Sequence, residues 1–122
     1  MIKLYNTNLE TNKLESVDTY TRGTWIHMVD PSEEEIKEVC QNVNIKEDFI
    51  RYALDNEEKA RIDVEDEDDT ILFIIDIPVT EKSQSGGYMY ATMPIGMIVV
   101  RDDFFITVTL RAVSYTHLTL TT

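Results

Sequence analysis

Ten residues restrict the fold more than any others. Residues 70–79 read TILFIIDIPV, β-branched and aromatic with almost no polar break. Such a run fits a strand buried on both faces. Asp76 interrupts it, so one end must reach water or a partner. Immediately before it, residues 61–65 read RIDVE, in which Ile62 and Val64 alternate with charged residues. That alternation is the mark of a half-buried strand. Residues 66–69, all acidic, are turn material. Together the two runs predict a β-hairpin whose bend holds its carboxylates in solvent.

The rest of the chain supplies what such a hairpin needs to pack against. Residues 1–7 alternate apolar and polar, with Ile2 and Leu4 on one side. After a polar turn, residues 14–20 and then 24–30 have strand character, an antiparallel start to a sheet. At residue 31 the period changes. Ile36, Val39, Cys40 and Val43 recur at steps of three and four, one face of a helix. Asp30 before Pro31, or Ser32 with Glu35 as a capping box, can begin it. Glu33, Glu34 and Glu35 stand where the helix dipole favours negative charge, which explains this triplet without a ligand. A second helix is expected over residues 45–55, with Ile45, Phe49, Ile50, Ala53 and Leu54 as its stripe and Asn44 as its cap. Residues 80–90, with Gly86 and Gly87, read as a loop. Residues 90–100 read as a strand bent or edged at Pro94, residues 101–103 as a turn, and residues 104–110 as the returning strand of a hairpin. The last stretch, 111–122, is rich in threonine and contains no acid. It is either a non-native tail or a fraying strand.

With 122 residues, one domain is the default. The formal charge of −12 repels phosphate backbones and excludes nucleic acid as a natural partner. Cys40 is the only cysteine, so an internal disulfide and the C-x-x-C metal and redox motifs are absent. No segment approaches the roughly 18 apolar residues that cross a bilayer, and residues 1–8 do not have the form of a signal peptide. The chain is therefore expected to be soluble as it stands.

Enzymatic chemistry finds no support. The acids between Asp63 and Asp69 lack the alternate spacing, central glycine and closing glutamate of a calcium loop. His27 and His117 are too far apart in the chain to suggest a metal pair. No nucleophile elbow, dinucleotide fingerprint or phosphate-binding loop occurs. Cys40 belongs to the apolar face of its helix.

The ordered set of segments resembles a known family. Residues 24–39 (TWIHMVDPSEEEIKEV), 45–79 (IKEDFIRYALDNEEKARIDVEDEDDTILFIIDIPV) and 93–108 (MPIGMIVVRDDFFITV) are similar to the N-terminal cytosolic domain of CorA-type magnesium transporters. The match covers residues 1–110 and leaves 111–122 as a tail. The resemblance implies an α/β fold, a mixed parallel and antiparallel sheet with covering helices, of the three-layer CorA type but truncated. It implies a regulatory domain that senses divalent cations, on the cytoplasmic side of a homopentameric transporter held in the cell membrane by C-terminal helices this chain lacks. The pore signature Gly-Met-Asn is also missing, since Gly96 and Met97 are followed by Ile98. By proximity to the family's regulatory element, Asp55, Glu57 and Glu58 become candidate ligands for weakly bound regulatory Mg2+; no tightly bound cofactor is implied. A free-standing acidic α/β protein-interaction module is the alternative.

Overall fold

A computed structural model describes residues 1–55, 60–67, 69–82 and 84–112. Seven strands form one sheet: β1 (Ile2–Asn8), β2 (Lys13–Val17), β3 (Thr24–Val29), β4 (Arg61–Glu65), β5 (Thr70–Lys82), β6 (Tyr88–Val100) and β7 (Phe104–Thr109). Their order is β2-β1-β3-β7-β6-β5-β4. All neighbours are antiparallel except β3 and β7, which run parallel with Ile26 opposite Ile106. The sheet is therefore mixed. Between the two strands of its single parallel pair the chain runs through both helices and then β4, β5 and β6.

The helices are α1 (Glu33–Val43) and α2 (Glu47–Ala53). Ser32, not Asp30, caps α1: its hydroxyl accepts from the Glu35 N–H at 3.2 Å, and the Glu35 carboxylate accepts from the Ser32 N–H at 2.9 Å. The N-terminal ammonium adds a 2.9 Å contact to the same carboxylate. These donors hold Glu35 below the usual carboxylate range, the backbone N–H of Ser32 first. Asn44 does not begin α2. It ends α1 in the left-handed conformation that asparagine tolerates, at φ 59°. That turn lets α2 start two residues later than the sequence suggests, at Glu47. Arg51 then ties the helices together, bidentate to Glu33 at 3.0 and 2.6 Å and reaching Glu47 at 3.1 Å.

Both helices lie on one face of the sheet. Ile36, Val39, Val43, Phe49, Ile50 and Ala53 meet Ile26, Met28, Leu72, Ile74, Ile98, Val100, Ile106 and Val108 in one core. Gly96 sits where α2 comes closest, because a Cβ there would collide with the Ala53 side chain. Two strands differ from expectation. Residues 80–82 and 88–90 extend β5 and β6 instead of forming a loop, so the two strands pair over thirteen positions. The run 70–79 is buried on one face only: Leu72 and Ile74 are fully buried, while Ile71 and Phe73 are half-buried and Ile75 is 40 % exposed. The reason is that its alternate residues face the side of the sheet that no described helix covers.

Candidate functional site

Two surfaces stand out. One is the second face of the sheet. Pairing places Tyr5, Trp25, Phe105, Val99, Ile71 and Val64 in one row across six strands, and His27, Thr107, Met97, Phe73 and Ile62 in the next. Residues that are opposite in a ladder share a face, so these rows form a broad, mainly apolar surface. β4 shows its orientation best. Its charged residues Arg61, Asp63 and Glu65 turn toward the helix side, opposite Ile74, Leu72 and Thr70. Its apolar residues Ile62 and Val64 turn to the second face and are 65 % and 64 % exposed. The half-buried strand read from the sequence is present, with its apolar side opposite to the helices. Period-two alternation specifies two faces but not which one is covered.

A polar knot lies within this apolar surface. The Trp25 indole donates to the Thr107 hydroxyl at 2.9 Å, and His27 Nδ1 lies 2.8 Å from the same oxygen. Tyr5 stacks obliquely on Trp25, ring centroids 5.1 Å apart. His27 is buried, as its position on a strand beside Trp25 suggested. Burial, and then the nearby Lys3 charge, lower its pKa from the ordinary histidine value. A neutral imidazole that accepts the Thr107 proton at Nδ1 fits this environment, because the indole N–H can only donate.

The second surface is a groove of about 290 Å³ between α2 and β4, lined by Lys46, Asp48, Phe49, Tyr52, Asp63, Val64 and Glu65. Three carboxylates face it, but cations are already in place. Arg61 lies with Nε 3.1 Å from an Asp63 oxygen and its guanidinium 5.0 Å above the Tyr52 ring. Of the predicted metal residues, Asp55 is exposed just beyond α2, its N–H bonded to the Tyr52 carbonyl at 3.2 Å. Glu57 and Glu58 lie outside the described residues. Among the described residues no group of three or more His, Cys, Asp or Glu side chains is arranged to hold a metal ion. Asp66, Glu67 and Asp69 form the turn of the β4–β5 hairpin as expected and are exposed. Sequence reading missed Asp48 and Asp63 as neighbours. Only the pairing of β4 beside α2 makes them so.

Cys40 is buried on the apolar side of α1, and burial raises its thiol pKa to about 11. It is a packing residue, not a nucleophile. Among the described residues no helix is long and apolar enough to cross a membrane.

Comparison with known proteins agrees with this architecture. A family model described as CorA-like Mg2+ transporter protein matches residues 21–121. No curated protein sequence matches significantly. The soluble domain of CorA from Methanocaldococcus jannaschii superposes with a TM-score of 0.73 at 22% identity, over 100% of this chain and 47% of that one. The complete CorA magnesium transporter from the same organism gives 0.69 at 17% identity, over 99% of this chain and 36% of that one. The present chain thus spans less than half of either solved chain. These likenesses confirm the mixed-sheet fold, with the two described helices on one face of a truncated domain. On the family match over most of its length, the chain belongs to the CorA-like Mg2+ transporter proteins.

Proposed function

We propose that this chain is part of the soluble regulatory, divalent-cation-sensing domain of a CorA-like magnesium transporter, with the membrane part outside the chain. The observation that carries the reading is the second face of the sheet. An edge strand that turns Ile62 and Val64 outward and its charges inward is written for a domain in which more polypeptide packs on that face. Exposed apolar surface of this breadth marks an interaction site. In this reading residues 1–110 form the native unit, which lies on the cytoplasmic side of the membrane, and 111–122 are a tail.

The charge of −12 supports the sensing role. Acidic domains arranged about a common axis, as in a homopentamer, repel one another. A divalent cation between them relieves that repulsion and favours the closed assembly. Such a shift requires that the cation bind one assembly state better than the other. Magnesium retains several waters and needs only one or two carboxylates, so Asp55, Glu57 and Glu58, which follow α2 in the sequence, are suited to weak binding shared with a neighbour. No enzymatic step and no tightly bound cofactor is needed.

The test is a magnesium titration of the full-length transporter, followed by limited proteolysis. Protection should rise through the millimolar range, on the order of the weaker hard-cation sites. Replacing Asp55, Glu57 and Glu58 together by their amides should move the midpoint to higher magnesium. Cleavage that stays constant from magnesium-free buffer to about 10 mM sinks the sensing role.

A further inference from the structure

His27 is buried within an otherwise mainly apolar face, and the groups around it determine what a proton there would do. Its ring lies 5.7 Å from the Trp25 ring, centroid to centroid. In the ladder it stands between Lys3 of β1 and Thr107 of β7. From β1 the titratable groups that share its face are Lys3, which is exposed, and Tyr5. Just ahead of them the N-terminal ammonium is engaged by the Val29 carbonyl at 2.8 Å and by Glu35 at 2.9 Å. β7 presents Phe105, Thr107 and Thr109, and β6 follows with Met97, none of them charged. Neither of the two rows that cross the second face at Trp25 and His27 contains a carboxylate.

The Thr107 hydroxyl decides how a proton is felt. It has one hydrogen to donate and two acceptor sites. The Trp25 indole, which can only donate, takes one of those sites. With His27 neutral, the hydroxyl hydrogen goes to Nδ1, and the three groups satisfy one another in sequence. A proton on Nδ1 reverses the second bond. The imidazolium then donates to the Thr107 oxygen, which receives two donors and must turn its own hydrogen away from the ring. A positive charge appears at the same moment among apolar side chains, across the ladder from Lys3. A charge taken out of water without a counter-ion is costly, and so is a buried polar network left partly satisfied.

We propose that Trp25, Thr107 and His27 form a proton-responsive element: a proton taken up at His27 weakens the packing of further polypeptide on the second face. The element rests on the reading of that face as one that a longer chain covers. It uses none of the candidate metal ligands. A covering layer holds His27 neutral more firmly than the uncovered chain does. Packing is then at full strength while the imidazole is neutral in both states. Once pH falls below the midpoint of the uncovered chain, packing weakens by up to about tenfold per pH unit, because one proton is involved. The uncovered chain already disfavours the proton, by burial and then by Lys3. The loss therefore begins below about pH 6.5, in the range where histidine serves as a switch.

Trp25 is the only tryptophan, so the chain carries its own reporter. Its fluorescence should change between about pH 7.5 and 5, with a midpoint below about 6.5. The change should vanish in His27→Gln. Thr107→Val should raise the midpoint, and Thr107→Ser, which keeps the hydroxyl, should restore it. In the full-length transporter at fixed magnesium, protection of the soluble domain from protease should fall over the same range in the wild type and persist in His27→Gln. Ile62→Lys with Val64→Lys, on the same face but away from the histidine, should lower protection at every pH. If that pair leaves protection intact, the face is not covered, and the element falls with that reading. If the pair lowers protection but the wild type and His27→Gln share one pH profile, the proton-responsive element alone is overturned. A Trp25 titration indifferent to His27→Gln overturns it as well.

Discussion

Ile74 and Ile75 are consecutive on β5 and belong to different environments. Ile74 is fully buried beneath the helices, whereas Ile75, on the second face, is 40 % exposed. The same contrast runs across the whole sheet. On the helix face, one side chain from each of several strands interlocks with α1 and α2. On the second face, equally apolar residues line up in rows with no described layer above them. Apolar content is thus similar on the two faces, and what differs is whether a partner is present. Stability in this chain comes chiefly from the first face, while the second leaves apolar surface with no described layer on it.

The largest expected effect breaks the covered face. Ile74→Ala should cost about 3 kcal/mol in urea denaturation, the usual range for a buried large-to-Ala change. Ile75→Ala should cost less than about 1 kcal/mol, since much of its side chain is already in water. Equal losses would show that the two faces are equivalent and end the comparison. In the proposed full-length transporter, with further polypeptide packed on the second face, the gap should narrow.

Next is the point of closest contact. Gly96→Ala places a methyl group into Ala53 of α2. Overpacking of that kind should cost about 2 kcal/mol. A Gly96→Ala chain as stable as the parent would mean that α2 is free to lift from β6. A smaller effect belongs to the edge strand. Ile62→Lys with Val64→Lys should change the stability of this chain by less than about 0.5 kcal/mol, as expected for exposed sites. The same pair in the longer transporter should impair assembly of the soluble domain, read as increased protease sensitivity.

Much of the helix face was legible in the sequence. The three-and-four spacing of Ile36, Val39, Cys40 and Val43 identified four residues that are all buried. The capping box at Ser32 and Glu35 was legible too, because both partners are local. Asn44 was misassigned because asparagine serves equally at the start of one helix and the left-handed end of another. The extended ends of β5 and β6 were missed because Ser83, Gln84, Ser85 and the two glycines dominate the reading of residues 80–90. Strand pairing out to Lys82 and Tyr88 depends on register, which composition does not express. The candidate site was least legible. Asp55 is exposed beyond α2, and the groove that Asp48 and Asp63 share depends on where β4 lies relative to α2, which the sequence does not express.

The finest test uses the one histidine held within the second face. The folded state lowers the pKa of His27, first by burial and then through Lys3. Between that lowered value and the unfolded value near 6.5, the unfolded chain binds more protons than the folded one. The stability contributed by neutral His27 is therefore fully present above about pH 6.5. It is lost as pH falls toward the folded value. The wild-type chain should lose more stability than His27→Gln between about pH 7.5 and 5.5, followed by urea denaturation at each pH. Thr107→Val should reduce the difference, because it removes the hydroxyl placed to donate to Nδ1, 2.8 Å away. Identical pH profiles for the wild type and His27→Gln would mean that the imidazole has the same proton affinity folded and unfolded. The second face would then be as wet around His27 as it is around Ile62, and its central rows would not be the partly dry surface that a further layer could complete.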